Sequence, residues 1–370
     1  MRFDSDAAIM QHALQLATRG FGAVEPNPQV GAVIVSSNRD FIAEGWHARF
    51  GGPHAEINAI TAARGNTAGH DLFVTLEPCS HHGKTPPCVD AVLRAGFRRV
   101  VVGCEDPAPH AAGRGLQRLR EAGVIVETGL CQDQAEATIA PFKRHMLQRL
   151  PWVHAKWAMS LDGRIAADSG HSQWISSPAS RTAVHALRGR VDAILTGAGT
   201  VRADNPLLTA RPPGPRTPLR VIFDSTGTAV TADSRLIQSL HEAPVLVCVS
   251  SHCSPGNHQR LLDLGAEVFA VDSPGLIPPR AVLAELGRRG ATHVLLEAGP
   301  ALMGAFFDQQ AVDEVHVFVA PKIIGGTRAC SAVAGTGQTS IPPLSQLQHL
   351  QVRRIDSDVL IEGRWIRAEC

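Results

Sequence analysis

The chain has 370 residues, of which 44% are hydrophobic and 19% are charged, and its formal net charge is +1. This length favours two domains, and the composition is typical of a globular protein and not of a disordered one. The near-neutral charge argues against nucleic-acid binding, which requires a strongly basic surface. No apolar run is long enough for a membrane span and no signal peptide is recognisable, so we expect a cytoplasmic protein.

The first part of the chain alternates between helical and extended patterns. Helices are predicted over residues 6–20, 54–65, 86–96 and 113–123, and strands over residues 29–37, 70–77, 98–106 and 124–128. This alternation predicts an α/β domain with a mostly parallel sheet covered by helices on both faces. The predicted domain boundary lies between a helix that begins at about Gln132 and an apolar strand that begins near Trp152. We therefore predict two domains, residues 1–147 and residues 148–370.

The second part repeats the alternation with different motifs. Helices are predicted over residues 177–190, 260–265, 279–290 and 300–310, and strands over residues 191–197, 218–225, 243–250, 292–299 and 312–326. The domain has no G-x-G-x-x-G motif, so a standard Rossmann cofactor domain is unsupported. Gly299-Pro300, between a strand and a helix, and the glycines of residues 196–200 could each receive a pyrophosphate. Each could equally be an ordinary turn.

Four residues of the first domain form a metal-binding pattern. His54-x-Glu56 is followed downstream by Pro78-Cys79 and, after eight residues, by Cys88. H-x-E followed by P-C…C is typical of zinc nucleobase deaminases. One imidazole and two thiolates would hold zinc with a position open for water, which zinc converts to hydroxide near neutral pH. Glu56, which is not a ligand, would move protons from this water to the ring nitrogen and the departing ammonia.

The eight-residue gap departs from the common P-C-x-x-C spacing and leaves alternatives open. His81 or His82 could replace a ligand, or Lys84 in the same loop could meet a substrate phosphate. A disulfide is disfavoured without a secretory signal. An RNA-editing deaminase would require a basic surface and the short gap, and a structural zinc protein would require a fourth protein ligand. The second domain could instead be a non-enzymatic module.

Motifs along nearly the whole chain resemble one known family. "PNPQVGAVIV", "GWHARFGGPHAE" and "TLEPCSHHGKTPPC" resemble the deaminase half of the bifunctional riboflavin-biosynthesis deaminase/reductases, whose cysteines have this long gap. "KWAMSLDGRIA", "GAGTVRADNPLLTAR" and "LLEAGPALMGAF" resemble the reductase half. The resemblance implies a cytidine-deaminase-like α/β/α domain and a dihydrofolate-reductase-like α/β domain.

The resemblance also implies two consecutive reactions. Zinc-dependent hydrolysis would remove the 2-amino group of 2,5-diamino-6-(5-phosphoribosylamino)pyrimidin-4-one. NADPH would then reduce the ribosyl chain of 5-amino-6-(5-phosphoribosylamino)uracil to a ribityl chain. We expect Zn²⁺ and NADPH as cofactors, small phosphorylated pyrimidines as partners, no nucleic acid and no membrane, and a homo-oligomer.

Site residues follow from the resemblance by motif. It implies His54, Cys79 and Cys88 as zinc ligands and Glu56 as the proton carrier. Substrate contacts would be Asn27, His47, His81, Lys84, Ser172, Arg188, Leu208, Arg211 and Glu297, although Asn27 between two prolines could simply be a turn residue. NADPH contacts would be Ala158, Trp174, Thr200, Asp204, Ser225, Gly299, Pro300, Ala301, Leu302, Met303, Gly304 and Ala305.

Individual residues of the chain allow more specific expectations about phosphate binding and proton transfer. Arg188 and Arg211 suit a phosphate, because a guanidinium can bind it with two hydrogen bonds. Lys156 and Asp204 are the candidate proton donors for hydride addition at the ribose C1′. The family usually has asparagine where this chain has Ala108, which casts doubt on a polar role at that position.

Overall fold

The computed structural model describes residues 1–80, 86–108, 112–342 and 346–366. The chain divides into two compact units, Met1–Gln148 and Arg149–Cys370. Within the described parts of the chain, no helix is both long enough and apolar enough to cross a membrane. Each unit contains one sheet with helices packed against it, so the prediction of a two-domain α/β protein is confirmed.

The described residues of the first unit form five strands and five α-helices. The strands are β1 (Gly31–Val35), β2 (Phe41–Trp46), β3 (Asp71–Leu76), β4 (Arg99–Cys104) and β5 (Ile125–Thr128). The helices are α1 (Asp6–Ala17), α2 (Ala55–Ala62), α3 (Cys88–Arg94), α4 (Arg114–Glu121) and α5 (Gln132–Gln148), with a short 3₁₀-helix at Thr18–Gly20.

The first sheet is mixed, and the prediction of a mostly parallel sheet is wrong for this unit. The strand order is β2-β1-β3-β4-β5; β1 is antiparallel to both β2 and β3, whereas β3, β4 and β5 are parallel. The sequence interpretation omitted β2. A tight turn closed by the Ser36 N–H on the Asp40 carbonyl returns the chain directly into that strand, so β1 and β2 form a hairpin.

Two glycines show that α1 and α2 lie on opposite faces of this sheet. A Cβ atom at Gly31 of β1 would overlap the Ala13 carbonyl of α1, and one at Gly45 of β2 would overlap the backbone of α2. Gly45 pairs with Ala32, the neighbour of Gly31. Paired residues share a face and successive residues alternate, so the two helices cover different faces. The buried core therefore extends on both sides of β1 and β3.

Within residues 149–342 and 346–366, the second unit has nine strands and six α-helices. The strands are β6 (Trp152–Ser160), β7 (Ala193–Gly197), β8 (Leu219–Phe223), β9 (Val245–Val249), β10 (Glu267–Ala270), β11 (His293–Leu296), β12 (Glu314–Ala320), β13 (Leu347–Ile355) and β14 (Asp358–Trp365). The helices are α6 (Pro178–Arg188), α7 (Ala198–Asp204), α8 (Arg235–Gln238), α9 (Pro255–Asp263), α10 (Pro279–Arg288) and α11 (Pro300–Asp308).

The second sheet is largely parallel, as expected. Its order is β10-β9-β8-β7-β11-β6-β12-β14-β13, with every pairing from β10 to β12 parallel and the two pairings of β14 antiparallel. The carboxyl ends of the seven parallel strands therefore share one edge. Ligands of open α/β sheets bind outside this edge, so the segments after β7, β8 and β11 are where a ligand is expected.

Candidate active sites

The three predicted zinc ligands converge in the first unit. His54 is the residue before the first turn of α2, Cys79 follows β3, and Cys88 is the first residue of α3. His54 Nδ1 lies 3.7 Å from Cys79 Sγ and 3.2 Å from Cys88 Sγ. Bond lengths of about 2.0–2.1 Å to nitrogen and about 2.3 Å to sulfur give a tetrahedral N···S separation of roughly 3.5 Å around zinc. The side chains therefore fit this ion.

The electrostatics of the trio favour metal binding. The Cys88 N–H donates to Cys79 Sγ over 3.3 Å. Hydrogen bonds from the Cys88 thiol and from His54 lower the pKa of Cys79, whereas the contact with Cys79 and burial raise the pKa of Cys88, so the first negative charge of the pair lies on Cys79. Three protein ligands form the group within the described part of the chain, which is the number found in catalytic zinc sites.

Glu56 lies in the first turn of α2, two residues from His54, and only 3% of it is exposed. Burial raises the pKa of its carboxyl, although the neighbouring His54 acts in the opposite direction. A carboxyl whose pKa is raised holds a proton more readily, and this helps it to both accept and release protons. Its position and its pKa suit a proton carrier beside the metal ligands.

Asn27 and His47 adjoin the metal ligands. His47 Nδ1 donates to the Pro53 carbonyl over 3.0 Å, so its Nε2 accepts from the Asn27 amide at 3.2 Å. The His47 ring stands edge-on to His54, with 5.1 Å between centroids. Burial lowers the pKa of His47, which keeps this imidazole neutral. The other two substrate contacts predicted here, His81 and Lys84, lie outside the described residues.

Glu77 is a buried residue that the sequence interpretation missed. Its carboxylate accepts hydrogen bonds from four backbone N–H groups, those of Asp106, Gly113, Gly115 and Leu116. Glu77 therefore ties the start of α4 to the end of β3, two residues before Cys79. The position of this glutamate, immediately before Pro-Cys at the end of a strand, is the sequence feature that could have indicated its role.

Ala108, the departure from the family pattern, is 5% exposed. Its N–H donates to the Asp106 side chain over 2.8 Å. Asp106 thus supplies a local hydrogen bond within its own loop, and residues 109–111 lie outside the described part of the chain. The alanine methyl group is buried, as expected for a position without a polar role.

An ion-paired cluster forms in the second unit from three residues far apart in sequence. Glu297 follows β11, Arg188 ends α6 and Lys156 lies in β6. Arg188 donates to both Glu297 oxygens, over 2.6 and 2.9 Å, and Lys156 Nζ is 3.6 Å from Glu297 Oε2. Burial raises the pKa of Glu297, but the two cations outweigh it and bring the value to about 2. Burial lowers the pKa of Lys156.

Arg211 and Leu208 lie in the loop between α7 and β8. Leu208 is 3% exposed with a φ of 53°, and Arg211 donates to the Thr209 hydroxyl over 3.1 Å. Arg188 also donates to the Thr209 carbonyl, at 3.3 Å. The loop therefore brings Arg211 close to the Arg188–Glu297 pair. Since Arg188 is already committed to that pair, Arg211 has the guanidinium with more capacity for a phosphate.

Several of the predicted cofactor residues gather at the carboxyl edge of the second sheet. Thr200 follows β7, Ser225 follows β8 and Gly299 follows β11. A Cβ built at Gly299 would lie 3.6 Å from Thr200 Oγ1, and Gly299 itself precedes α11 as its N-cap. A bare backbone at the start of a nine-residue helix leaves room and N–H donors for a pyrophosphate. The edge thus fits a dinucleotide.

The remaining predicted residues of this unit have separate environments. Ser172 donates to Asp204 over 3.4 Å. Trp174 is 63% exposed, with the Arg181 guanidinium 4.6 Å from its ring and Lys322 Nζ donating to its carbonyl. Ala158 lies in β6 on the same face as Lys156. Asp204 is therefore bound to Ser172, whereas Lys156 belongs to the Glu297 cluster.

Comparisons with known proteins give the same division of the chain. Residues 4–104 match the cytidine and deoxycytidylate deaminase zinc-binding region, and residues 151–361 match the RibD C-terminal domain. The riboflavin biosynthesis protein RibD of Bacillus amyloliquefaciens is 40% identical over 351 residues, covering 95% of this chain and 94% of that protein.

Solved structures give a similar result. RibD of Acinetobacter baumannii, form 1, aligns with a TM-score of 0.80 and 34% identity over 98% of this chain and 99% of that one. A diaminohydroxyphosphoribosylaminopyrimidine deaminase/5-amino-6-(5-phosphoribosylamino)uracil reductase of Thermotoga maritima aligns with a TM-score of 0.80 and 36% identity, covering 97% of this chain and 98% of that one.

Proposed function

The chain belongs to the RibD family of bifunctional riboflavin-biosynthesis deaminase/reductases, and from this membership we propose which of its residues perform the two reactions. The first unit hydrolyses the 2-amino group of 2,5-diamino-6-(5-phosphoribosylamino)pyrimidin-4-one. The second unit reduces the ribosyl chain of the resulting aminouracil with NADPH. The observation that carries the residue assignment is the convergence of His54, Cys79 and Cys88 beside buried Glu56.

In the deaminase, His54, Cys79 and Cys88 hold the zinc ion. Zinc, when bound, supplies the Lewis acidity that makes a water molecule nucleophilic at neutral pH. Glu56 would carry one proton from the attacking water to the pyrimidine ring nitrogen. It would then carry a second proton, from the hydroxyl group that the water has become on the ring carbon, to the amino group that leaves as ammonia. The contact between Asn27 and neutral His47 supports a role in orienting the pyrimidine beside the ligands.

In the reductase, Lys156 is the proton donor. NADPH, when bound, supplies a hydride to the ribose C1′, and the opened sugar must gain a proton elsewhere. The lowered pKa of Lys156 makes its ammonium a stronger acid, while Glu297, itself paired with Arg188, holds it in place. Arg211 binds the substrate phosphate, since its guanidinium is less engaged than that of Arg188.

The NADPH site spans the carboxyl edge of the second sheet. Thr200, Ser225 and the N-terminal turn of α11 bind the cofactor phosphates, and Trp174 and Asp204 complete the site. Two further expectations belong to this proposal, that the enzyme is a homo-oligomer and that it works in the cytoplasm. Light scattering coupled to size-exclusion chromatography tests the first of them.

Replacement of Glu56 by glutamine tests the deaminase assignment. The change keeps the shape of the side chain and removes its proton-carrying capacity, so ammonia release should fall by about 10²–10⁴-fold. Zinc content should stay at the wild-type level, and reduction of separately supplied aminouracil phosphate should be unchanged. Glu121→Gln, on the exposed side of α4, is the matched control. Wild-type ammonia release by Glu56→Gln would overturn the assignment.

A further inference from the structure

A second cluster of candidate metal ligands lies in the second unit. It contains His154, His316 and Glu314, whose ligand atoms all lie within 4.8 Å of one another. His154 is 4% exposed and His316 is 7% exposed. Neither the deaminase mechanism nor the reductase mechanism uses these side chains.

The strand register places the cluster on one face of the sheet. Glu314 pairs with His154, and His316 pairs with Lys156 on β6 and with Glu362 on β14. Paired residues share a face, and residues two apart on a strand do too. Three neighbouring strands, β6, β12 and β14, therefore supply the polar side chains of one small region.

The distances among the three ligand atoms match the coordination shell of a metal ion. His154 Nδ1 is 3.1 Å from His316 Nε2. The Glu314 carboxylate approaches both rings, with Oε2 3.6 Å from His154 Nδ1 and Oε1 3.5 Å from His316 Nε2. Bonds of about 2.0–2.1 Å to nitrogen or oxygen give a tetrahedral ligand separation of roughly 3.3 Å. Contacts of 3.5–3.6 Å are too long for hydrogen bonds.

Each imidazole also has an outer partner on its opposite nitrogen. His316 Nδ1 is 2.8 Å from Glu362 Oε1, and His154 Nε2 is 3.0 Å from His293 Nδ1. Metal-bound histidines typically use their second ring nitrogen in this way, with a carboxylate or another acceptor outside. The Glu362 contact requires a proton on His316 Nδ1, so in the neutral ring the Nε2 lone pair of His316 points into the cluster.

We propose that His154, His316 and Glu314 bind a divalent first-row transition-metal ion, independently of the deaminase zinc. Two imidazoles and one carboxylate suit Zn²⁺ and its neighbours and not Mg²⁺ or Ca²⁺, which prefer oxygen ligands. The ion would replace the proton that otherwise joins His154 to His316. Glu314, 28% of whose side chain is exposed, gives the ion a route from solvent.

Metal content of the full-length chain tests the proposal. After equilibration with Zn²⁺ and removal of the free ion, wild type should hold two zinc ions per chain by elemental mass spectrometry. His316→Gln and Glu314→Gln should each hold one, and His54→Gln, which lacks the deaminase ligand, should also hold one. His241→Gln, at a side chain that is 77% exposed, should hold two.

Cobalt substitution identifies which site remains. In His54→Gln, Co²⁺ should give visible d–d bands without the near-ultraviolet thiolate band, whereas His316→Gln should retain that band. Glu362→Gln should weaken binding at the second site by about 10–100-fold and not abolish it. One zinc per wild-type chain, or two in folded Glu314→Gln, would overturn the proposal and leave a hydrogen-bonded histidine network. A missing thiolate band in wild type would instead contradict the deaminase assignment.

Discussion

Replacement of Glu77 by glutamine should selectively destabilise the deaminase unit. Glu77 Oε2 accepts from the N–H groups of Asp106 and Gly113, and Oε1 accepts from those of Gly115 and Leu116. In glutamine an amide nitrogen replaces one of these oxygens. Its N–H groups then face two backbone N–H donors, so two hydrogen bonds are lost in either orientation of the amide.

The size of the effect follows from the number of bonds lost. A hydrogen bond to a charged group contributes about 1.5–3 kcal/mol, so losing two costs roughly 3–6 kcal/mol. Glu77 is 5% exposed, so little solvent reaches the orphaned donors. For a unit of this size, each kcal/mol corresponds to about 2–4 °C in melting temperature, which gives a decrease of roughly 10 °C.

The temperature of half-inactivation measures this loss within one sample. Ammonia release by Glu77→Gln should be lost roughly 10 °C earlier than in wild type, whereas NADPH oxidation with supplied aminouracil phosphate should keep its wild-type midpoint. Glu127→Gln removes an ion pair whose glutamate is 52% exposed, and such exposed pairs contribute only about 0.2–1 kcal/mol. A decrease in the half-inactivation temperature no larger in Glu77→Gln than in Glu127→Gln would show that the Glu77 hydrogen bonds do not stabilise the deaminase unit.

Three further predictions concern the reductase. Lys156→Met should lower turnover by about 10²–10⁴-fold. Because the donor is the protonated amine and burial lowers its pKa, wild-type activity should fall as pH rises through a value below the ordinary 10.4 or so. That limb should vanish in Lys156→Met and persist in Lys143→Met. Arg211→Gln should raise KM for the phosphorylated substrate by about 10–100-fold with turnover little changed, and an equal effect on the dephosphorylated analogue would contradict phosphate binding. Glu297→Gln leaves two buried cations facing each other, so denaturant titration should find the unit destabilised by about 3–5 kcal/mol; unchanged stability would argue against the pair.

The deaminase ligands could be found from sequence because local structure places them. His54 begins a helix, Cys79 follows a strand and Cys88 begins the next helix, and these element ends meet at one edge of the sheet. The positions of these residues at the ends of predicted elements were therefore enough to predict that they come together. Two of the expected contacts in the intervening loop, His81 and Lys84, stay predictions.

Features that depend on the order of strands in a sheet could not be predicted from the sequence. Helical and extended patterns indicated the elements and the two-domain α/β architecture, but not that β1 would lie between β2 and β3. The last two strands, β13 and β14, escaped notice because β13 is almost wholly exposed and lacks an apolar stripe. Strand order also assembles His154, His316 and Glu362, which are separated by up to about 200 residues of chain.

The Arg188–Glu297–Lys156 cluster shows that the pairing of side chains could not be predicted from the sequence. The family motif placed all three in or near the substrate site, and a guanidinium alone suggested phosphate binding. The structure shows that Arg188 is bound to Glu297 and to the Thr209 carbonyl. A partner 109 residues away decides what Arg188 can bind, and no local pattern reports it.

The order of the two reactions on one chain, deamination first and reduction second, can be measured directly. The direct measurement is incubation of the purified protein with the diaminopyrimidinone phosphate, with and without NADPH, while ammonia and NADPH are followed together. Ammonia should appear without NADPH, and NADPH should be oxidised only after ammonia has been released. Oxidation of NADPH without prior ammonia release would contradict this order of reactions, and a lack of ammonia release from zinc-loaded protein would contradict the deaminase activity.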